Sequence, residues 1–318
     1  MSTIRSDRTS EAVERIRAFN RSWTEVLGLL DHHLLDTDHT LTEARVLFEL
    51  GRARGGLDRL QLKDRLAIDQ SFLGRVLSRL QRTGLISVTR DAADGRRHRL
   101  NLTTEGRNAY RTLDKRSARQ IDSLLAPLTA DQRRSLVEAM AVVPAVVRPG
   151  NYDAADVIIR GLEPGDLGWV VGRHGAIYAD EFGWNTDFEA LVAQIVADYH
   201  AQRRPGRDNA WIAELAGARA GCVFCVERDS ATAQLRILLV EPWARGLGIG
   251  ARLVDECIAF ARSAGYSTMM LWTNDILVAA RRIYQSAGFG LAEEEAHHSF
   301  GHDLVGQNWT LDLTNSSV

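Results

Sequence analysis

The chain has 318 residues, 39 Lys+Arg against 41 Asp+Glu, a formal net charge of −2 and 45% hydrophobic residues. That length suits two domains, each large enough to bury its own core. Three cysteines exclude a disulfide framework, and no run approaches the roughly 18 apolar residues of a membrane-spanning helix, nor does the N-terminus carry a signal-peptide core, so a cytosolic (cytoplasmic) protein without membrane association is predicted.

Charge divides the chain. Residues 1–148 carry 26 Lys+Arg against 19 Asp+Glu, and the remainder 13 against 22. A basic half beside an acidic half suggests a nucleic-acid-facing module joined to something else. Leu41 to Leu50 reads as a capped amphipathic helix, and Leu57 to Leu66 as a second, with apolar residues at 57, 60, 62 and 66. After the turn Ala67-Ile68-Asp69, Gln70 to Leu80 reads as a third, burying Phe72, Leu73, Val76, Leu77 and Leu80. Its polar stripe is Ser71, Gly74, Arg75, Ser78 and Arg79. Two helices, a turn and this helix make a helix-turn-helix. Thr83-Gly84 ends it, and strands at Ile86 to Arg90 and His98 to Leu102 form a hairpin whose tip is basic.

Ending on Leu102-Thr103-Thr104-Glu105-Gly106-Arg107, this segment closely resembles MarR-type winged-helix regulators. The resemblance implies a mostly α winged helix-turn-helix domain over residues 5–148 that binds double-stranded DNA as a homodimer. Ser71, Gly74, Arg75, Ser78 and Arg79 would then face the major groove. Arg96, beside Arg97, would probe the minor groove, with Asp94 bracing the wing. Val13 to Leu35 and the helices from Thr104 and Ala130 would form the dimer bundle. Two positions depart from the family: Gly74 where a serine is usual, and Lys63 where a small alanine is usual.

Val143 to Asn151, with Pro144, Pro149 and Gly150, is predicted to stop the helix from Ala130 and to join the halves too tightly for a floppy tether. Beyond it, Val157 to Arg160 reads as a strand and Glu163-Pro164-Gly165-Asp166 as a helix start. Phe188 to Tyr199 reads as a second helix. Trp211 to Leu215 and Gly221 to Val226 form a hairpin around Gly217-Ala218-Arg219-Ala220. Cys222 and Cys225, three apart on a strand, point to opposite faces and read as core.

Gln234 to Val240 is apolar enough for a buried strand, Glu241-Pro242 breaks it, and an amphipathic helix starts near Ala251. Between them lies Arg245-Gly246-Leu247-Gly248-Ile249-Gly250. Glycines at a helix N-terminus let an anion approach unpaired backbone N–H groups. A strand from Thr268 to Thr273 ends at Asn274, and Ala279-Ala280-Arg281-Arg282-Ile283-Tyr284-Gln285-Ser286-Ala287-Gly288-Phe289 follows. Final strands are predicted near 291–294 and 307–313.

The Arg-x-x-Gly-x-Gly loop after a strand, with the Ala-x-x-x-Tyr-x-x-x-Gly-Phe segment behind it, resembles the GNAT superfamily of N-acetyltransferases over residues 157–313. The resemblance implies an α/β domain with a mixed, splayed sheet and acetyl-CoA as cosubstrate. Residues Arg245 to Ala251 would cradle the pyrophosphate, Leu238, Leu239 and Val240 would pair with the pantetheine arm, and Asn274 and Ala280 would flank it. Tyr284 would protonate the departing thiolate, as a phenol of ordinary pKa about 10 can.

Transfer to an amine needs a proton acceptor. The strand before the loop holds no acidic residue, so Glu214 is the first candidate base, with Glu241, Glu181 and His298 behind it. Tyr178, Glu181 and Trp184, between two predicted helices, with His298, are the expected acceptor pocket, suited to a small amine with an apolar or ring portion; a protein lysine stays open. His297, His298 and His302 lack an acidic partner at ligand spacing, so no metal is expected. Two other readings stay open: a DNA-binding regulator that uses the second domain as a non-catalytic acetyl-CoA sensor, and an acetyltransferase whose winged helix only dimerises.

Overall fold

The computed structural model describes residues 2–29, 34–53, 55–90, 98–148 and 152–314. They form two compact units, 1–129 and 130–318.

The first unit is mostly helical: α1 (Ser2–Val26), α2 (Leu41–Arg52), α3 (Arg59–Leu66), α4 (Gln70–Arg82), a hairpin of β1 (Ile86–Arg90) and β2 (His98–Leu102), and α5 (Thr104–Leu125). Short polar side chains start the helices. Thr40 with Glu43 and Asp58 with Gln61 make capping boxes for α2 and α3, and Asp69 accepts from the Phe72 N–H to start α4. Leu57 precedes α3 instead of opening it and bridges to Leu100 on the wing. Ala44, Leu47, Leu62, Leu73, Leu77 and Leu100 close the core. Phe72, expected inside, is 37% exposed, because the inward positions of its turn are taken by Leu73 and Val76. Gly106 is required where α5 begins, since a Cβ there would stand 1.9 Å from the Leu85 carbonyl oxygen.

The second unit contains α6 (Ala130–Val147), β3 (Val157–Gly161), α7 (Asp166–Phe182), α8 (Thr186–Gln202), β4 (Asn209–Leu215), β5 (Ala218–Glu227), β6 (Thr232–Val240), α9 (Ile249–Ser263), β7 (Thr268–Asn274), α10 (Val278–Ser286), β8 (Gly290–Ser299) and β9 (His302–Asp312). The seven strands lie in the order β3-β4-β5-β6-β7-β9-β8, and only β6 and β7 are parallel. One sheet face packs on α9 through Val223, Cys225, Leu235 and Leu253. The other packs on α7 and α8 through Cys222, Phe224, Val170 and Val196. Cys222 and Cys225 thus sit on opposite faces, as strand alternation requires. β4 and β5 join at Ala216-Gly217, both at positive φ, which is tighter than the turn expected from sequence.

Two expectations about α6 are corrected. Pro144 does not end this helix, which continues to Val147. Ala141 and Ala145 are buried beside it, and helix formation lapses only next to Arg148-Pro149, where proline disfavours a helical residue before it. Within the single chain α6 groups with the second unit, not the first. It packs on β5, and Glu138 pairs with Arg219 at 2.8 Å. No described helix is long and apolar enough to cross a membrane.

Candidate functional site

The sheet parts where β6 leaves β7. Their pairing runs only from Thr232 opposite Thr268 to Leu235 opposite Leu271, although both strands continue. A bulge lies just past that point. Ile237 has φ 54°, a left-handed conformation that a β-branched residue rarely adopts, and the β5–β6 register shifts between Cys222 and Phe224. Strain of this kind costs about 1–3 kcal/mol and concentrates at functional sites. It leaves the backbone of Leu238, Leu239 and Val240 without a partner on the β7 side.

A cavity of about 510 Å³ occupies that opening, lined by Leu238, Leu239 and Val240, the turn before α9, Ile276 to Ala280, and Ile283. Gly246 and Gly248 lie at φ 87° and 74°. Nothing would stand within 4 Å of a Cβ on either, so backbone conformation, not space, calls for glycine. Gly248 caps α9 and offers no side chain to its first turn, which leaves those N–H groups and the positive helix end for an anion. Gly250 answers a different need: its Cβ would meet Ile283 Cδ1 at 2.7 Å, where α9 and α10 touch. Ala251 also lines the cavity, and Arg245 at its wall pairs with Glu181 at 2.8 Å. The Leu247 side chain packs against the core instead. These features fit an elongated ligand with an anionic end.

A smaller cavity of about 140 Å³ adjoins the first, sharing Tyr178, Leu238, Leu277 and Ala280 with it. Tyr284 lines it, buried and edge-on to Phe289, and burial pushes its phenol far above the ordinary value. Asn274 is buried in its wall, hydrogen-bonded to His297 at 2.9 Å. Tyr178, Trp184 and Phe188 form an aromatic cluster with ring centroids 4.5–5.0 Å apart.

Two lining residues were missed by sequence reasoning. His174 is 2% exposed and its Nδ1 lies 2.8 Å from the Val170 carbonyl. A carbonyl only accepts, so Nδ1 carries the proton and Nε2 presents a lone pair, which has no partner among the described residues. Burial lowers the pKa to about 4, against the small opposing effect of the Val170 bond. The Trp184 indole N–H is likewise buried and unpartnered. Arg236 is the second missed residue. It contributes the cavity's only formal charge among the described residues. A charge inside the apolar run Leu235-Arg236-Ile237 was the available signal for it. The signal for His174 was its four-residue spacing from Tyr178.

Other expectations are corrected. Glu214 lines neither cavity. It accepts from Arg160 at 2.8–2.9 Å, in a network where Arg160 and Arg219 also hold buried Asp166. Burial would raise the Asp166 pKa, but hydrogen bonds from Arg160, the Glu163 N–H and Arg219 hold it below the usual range. Glu241 is clamped by Arg173 at 2.5 and 2.9 Å, and Glu181 faces the larger cavity from α7. Tyr178 and Glu181 belong to the last turns of α7, not to a loop, because that helix ends only at Gly183. His298 is exposed on β8, bonded to Asp303, and lines neither cavity. Among the described residues no group of His, Cys, Asp or Glu could hold a metal ion.

On the first unit, Ser71, Arg75, Ser78 and Arg79 are exposed along α4, with Gly74 half-buried among them. Arg75 lies over the Phe72 ring, 5.7 Å from its centroid. Arg79 pairs with buried Glu43 at 3.0 Å, and Ser78 donates to the Gly74 carbonyl. Nothing lies within 4 Å of a Cβ on Gly74, so the missing side chain opens no packing defect. Asp94, Arg96 and Arg97 lie outside the described residues.

Comparison with known proteins agrees with both halves. The acetyltransferase (GNAT) family matches residues 176–289, and the MarR family matches residues 37–97. An uncharacterized N-acetyltransferase of Schizosaccharomyces pombe is 30% identical over 122 residues, 38% of this chain and 75% of that protein. The uncharacterized HTH-type transcriptional regulator YdgJ of Bacillus subtilis is 30% identical over 80 residues, 25% of this chain and 49% of that protein. This chain spans less than half the length of other curated relatives it matches, such as the N-acetylaspartate synthetase of Danio rerio, at 38% identity and 28% coverage of that protein. Among solved structures, a putative acetyltransferase of Salmonella typhimurium with acetyl-CoA is 20% identical, with a TM-score of 0.44, over 51% of this chain and 97% of that one.

Proposed function

Because the chain belongs to the GNAT acetyltransferase family and carries a MarR-family module ahead of that domain, we propose that it transfers an acetyl group from acetyl-CoA to a primary amine and binds double-stranded DNA through its first unit. The observation that carries the catalytic half is the pair of adjoining cavities, one ending at a glycine cradle and the other containing Tyr284. Acetyl-CoA supplies the activated acetyl group. The uncapped N–H groups of α9 hold its pyrophosphate, and the free backbone edge at Leu238, Leu239 and Val240 pairs with its pantetheine arm.

Tyr284 and His174 divide the proton work. The buried phenol stays protonated across the working range, so its hydroxyl can donate to sulfur as the C–S bond breaks and the amine nitrogen bonds to the carbonyl carbon. His174 Nε2 accepts an N–H from the incoming amine, in the role first sought at Glu214. Since a buried phenolate is unfavourable, Tyr284 must regain the proton that the amine sheds.

On the first unit, Ser71, Gly74, Arg75, Ser78 and Arg79 form the face assigned to the major groove, with Arg96 and Arg97 on the wing. Homodimerisation uses α1, where Val13, Ile16, Phe19 and Val26 expose an apolar stripe. Both activities belong to the cytoplasm. One observation favours a second reading: no carboxylate lines the smaller cavity among the described residues, as suits a non-catalytic acetyl-CoA sensor.

Thiol release from acetyl-CoA with a panel of amines separates the readings. Turnover that falls in Tyr284→Phe supports the enzyme. Tight acetyl-CoA binding without turnover of any amine supports the sensor, and undiminished turnover in Tyr284→Phe removes the phenol's role. For DNA, salt-sensitive binding to the chain's own upstream sequence is expected to be lost in Arg75→Ala. Its absence in the unmodified chain would leave the winged helix as a dimerisation module.

A further inference from the structure

We infer that the acceptor carries a carboxylate as well as an amine, being an α-amino acid with an apolar side chain, and that Arg236 binds the carboxylate. This rests on the acetyltransferase reading and names its substrate class. Arg236 projects from β6 into the smaller cavity beside Ile195 of α8. It makes no hydrogen bond or ion pair among the described residues. Asp198 on α8 exerts an attraction on it, but that carboxylate accepts instead from Gln194 at 2.7 Å. A guanidinium has five N–H donors in a planar fork that matches a carboxylate. Leaving it partly desolvated and unpaired disfavours its charge, and its pKa is accordingly depressed by burial. A carboxylate from the acceptor would relieve this.

The rest of the cavity agrees. No acidic residue lines it among the described residues, so a polyamine or other multiply cationic acceptor would find a like charge and no counter-charge. Its volume, about 140 Å³, matches one benzene-sized group, and Trp184, Phe188 and Leu191 offer that group an apolar wall. Two of its lining residues, Trp184 and His174, each hold a buried polar atom without a partner among the described residues, one a donor and one an acceptor.

The test compares phenylalanine, phenylalaninamide and phenethylamine as acceptors for the full chain, Arg236→Met and Arg236→Lys. The unmodified chain should favour phenylalanine in kcat/KM by about 30-fold or more, the size expected for a desolvated Arg–carboxylate pair. In Arg236→Met that preference should collapse to within about threefold, with Arg236→Lys intermediate and acetyl-CoA affinity retained as the check on folding. Equal use of all three acceptors by the unmodified chain, or a preference that survives Arg236→Met, overturns the inference. Should no amine be turned over, the acetyltransferase reading fails separately, and calorimetry with phenylalanine decides this one. Binding to the unmodified chain that is lost in Arg236→Met upholds it, and no binding at millimolar phenylalanine overturns it.

Discussion

Replacing either of two glycines of the second unit by alanine should shift stability in opposite directions. Gly248 sits at φ 74° and Gly172 lies inside α7, and neither has an atom within 4 Å of where a Cβ would go. Sterics with neighbours therefore drop out and backbone conformation decides the sign. An L residue in the left-handed region pays about 1–2 kcal/mol, partly offset by about 0.4–1 kcal/mol of lost freedom in the unfolded chain, so Gly248→Ala should destabilise by about 1 kcal/mol. Alanine for an exposed glycine inside a helix should stabilise by about 1 kcal/mol. For a unit of this size the melting temperature should move by about 2–4 °C down and up respectively. Six of the seven tryptophans lie in the second unit, so their fluorescence follows its unfolding. Acetyl-CoA at about 100 times its Kd should add about 2.7 kcal/mol to the unmodified chain and to Gly172→Ala, and less to Gly248→Ala, whose methyl stands at the anion cradle. Shifts of the same sign in both variants would refute the conformational argument, and an undiminished ligand increment in Gly248→Ala would refute the cradle.

Tyr284→Phe should lower kcat by about 100-fold or more while leaving the acetyl-CoA Kd little changed, as expected for loss of a general acid; a fall confined to KM would contradict that. His174 has a folded pKa near 4 against an ordinary 6.5. Its buried neutral form therefore favours folding fully above about pH 6.5, and this contribution, about 3 kcal/mol, is lost as pH falls toward 4. Urea titrations at pH 7 and pH 4.5 should show a smaller acid loss in His174→Phe than in the unmodified chain, and equal losses would exclude this histidine as the source. Arg79→Ala should weaken DNA binding and also destabilise the first unit by about 1 kcal/mol, because the buried Glu43 carboxylate then keeps only the Thr40 N–H and loses its cation. Arg75→Ala, whose side chain lies over the Phe72 ring and makes no ion pair among the described residues, should weaken DNA binding alone; filter binding beside thermal unfolding of each variant distinguishes the two.

Local chemistry made much of this legible in advance. Helix α4 was readable because its apolar spacing and the Asp69 cap are both local signals. The glycine turn was readable because Gly246 and Gly248 occupy conformations that few other residues tolerate. Cys222 and Cys225 were assigned to opposite faces from strand alternation alone. The base candidates failed for the converse reason. Glu214 and Glu241 are ordinary acidic residues in the sequence, and only folding brings Arg160 and Arg173 against them.

Two modules, their order, the β1–β2 hairpin and the glycine turn before α9 follow from residues close together in the chain, whose backbone preferences and periodicity are intrinsic. The remainder came from contacts between distant parts of the chain. They moved α6 to the second unit, carried Pro144 within a helix, parted β6 from β7 and gathered His174, Trp184 and Arg236 around one cavity. Those outcomes depend on burial and on which side chains meet across distant strands and helices. A histidine becomes a neutral hydrogen-bond acceptor, and an arginine is left partly buried without an ion pair, only once water and competing partners have been removed.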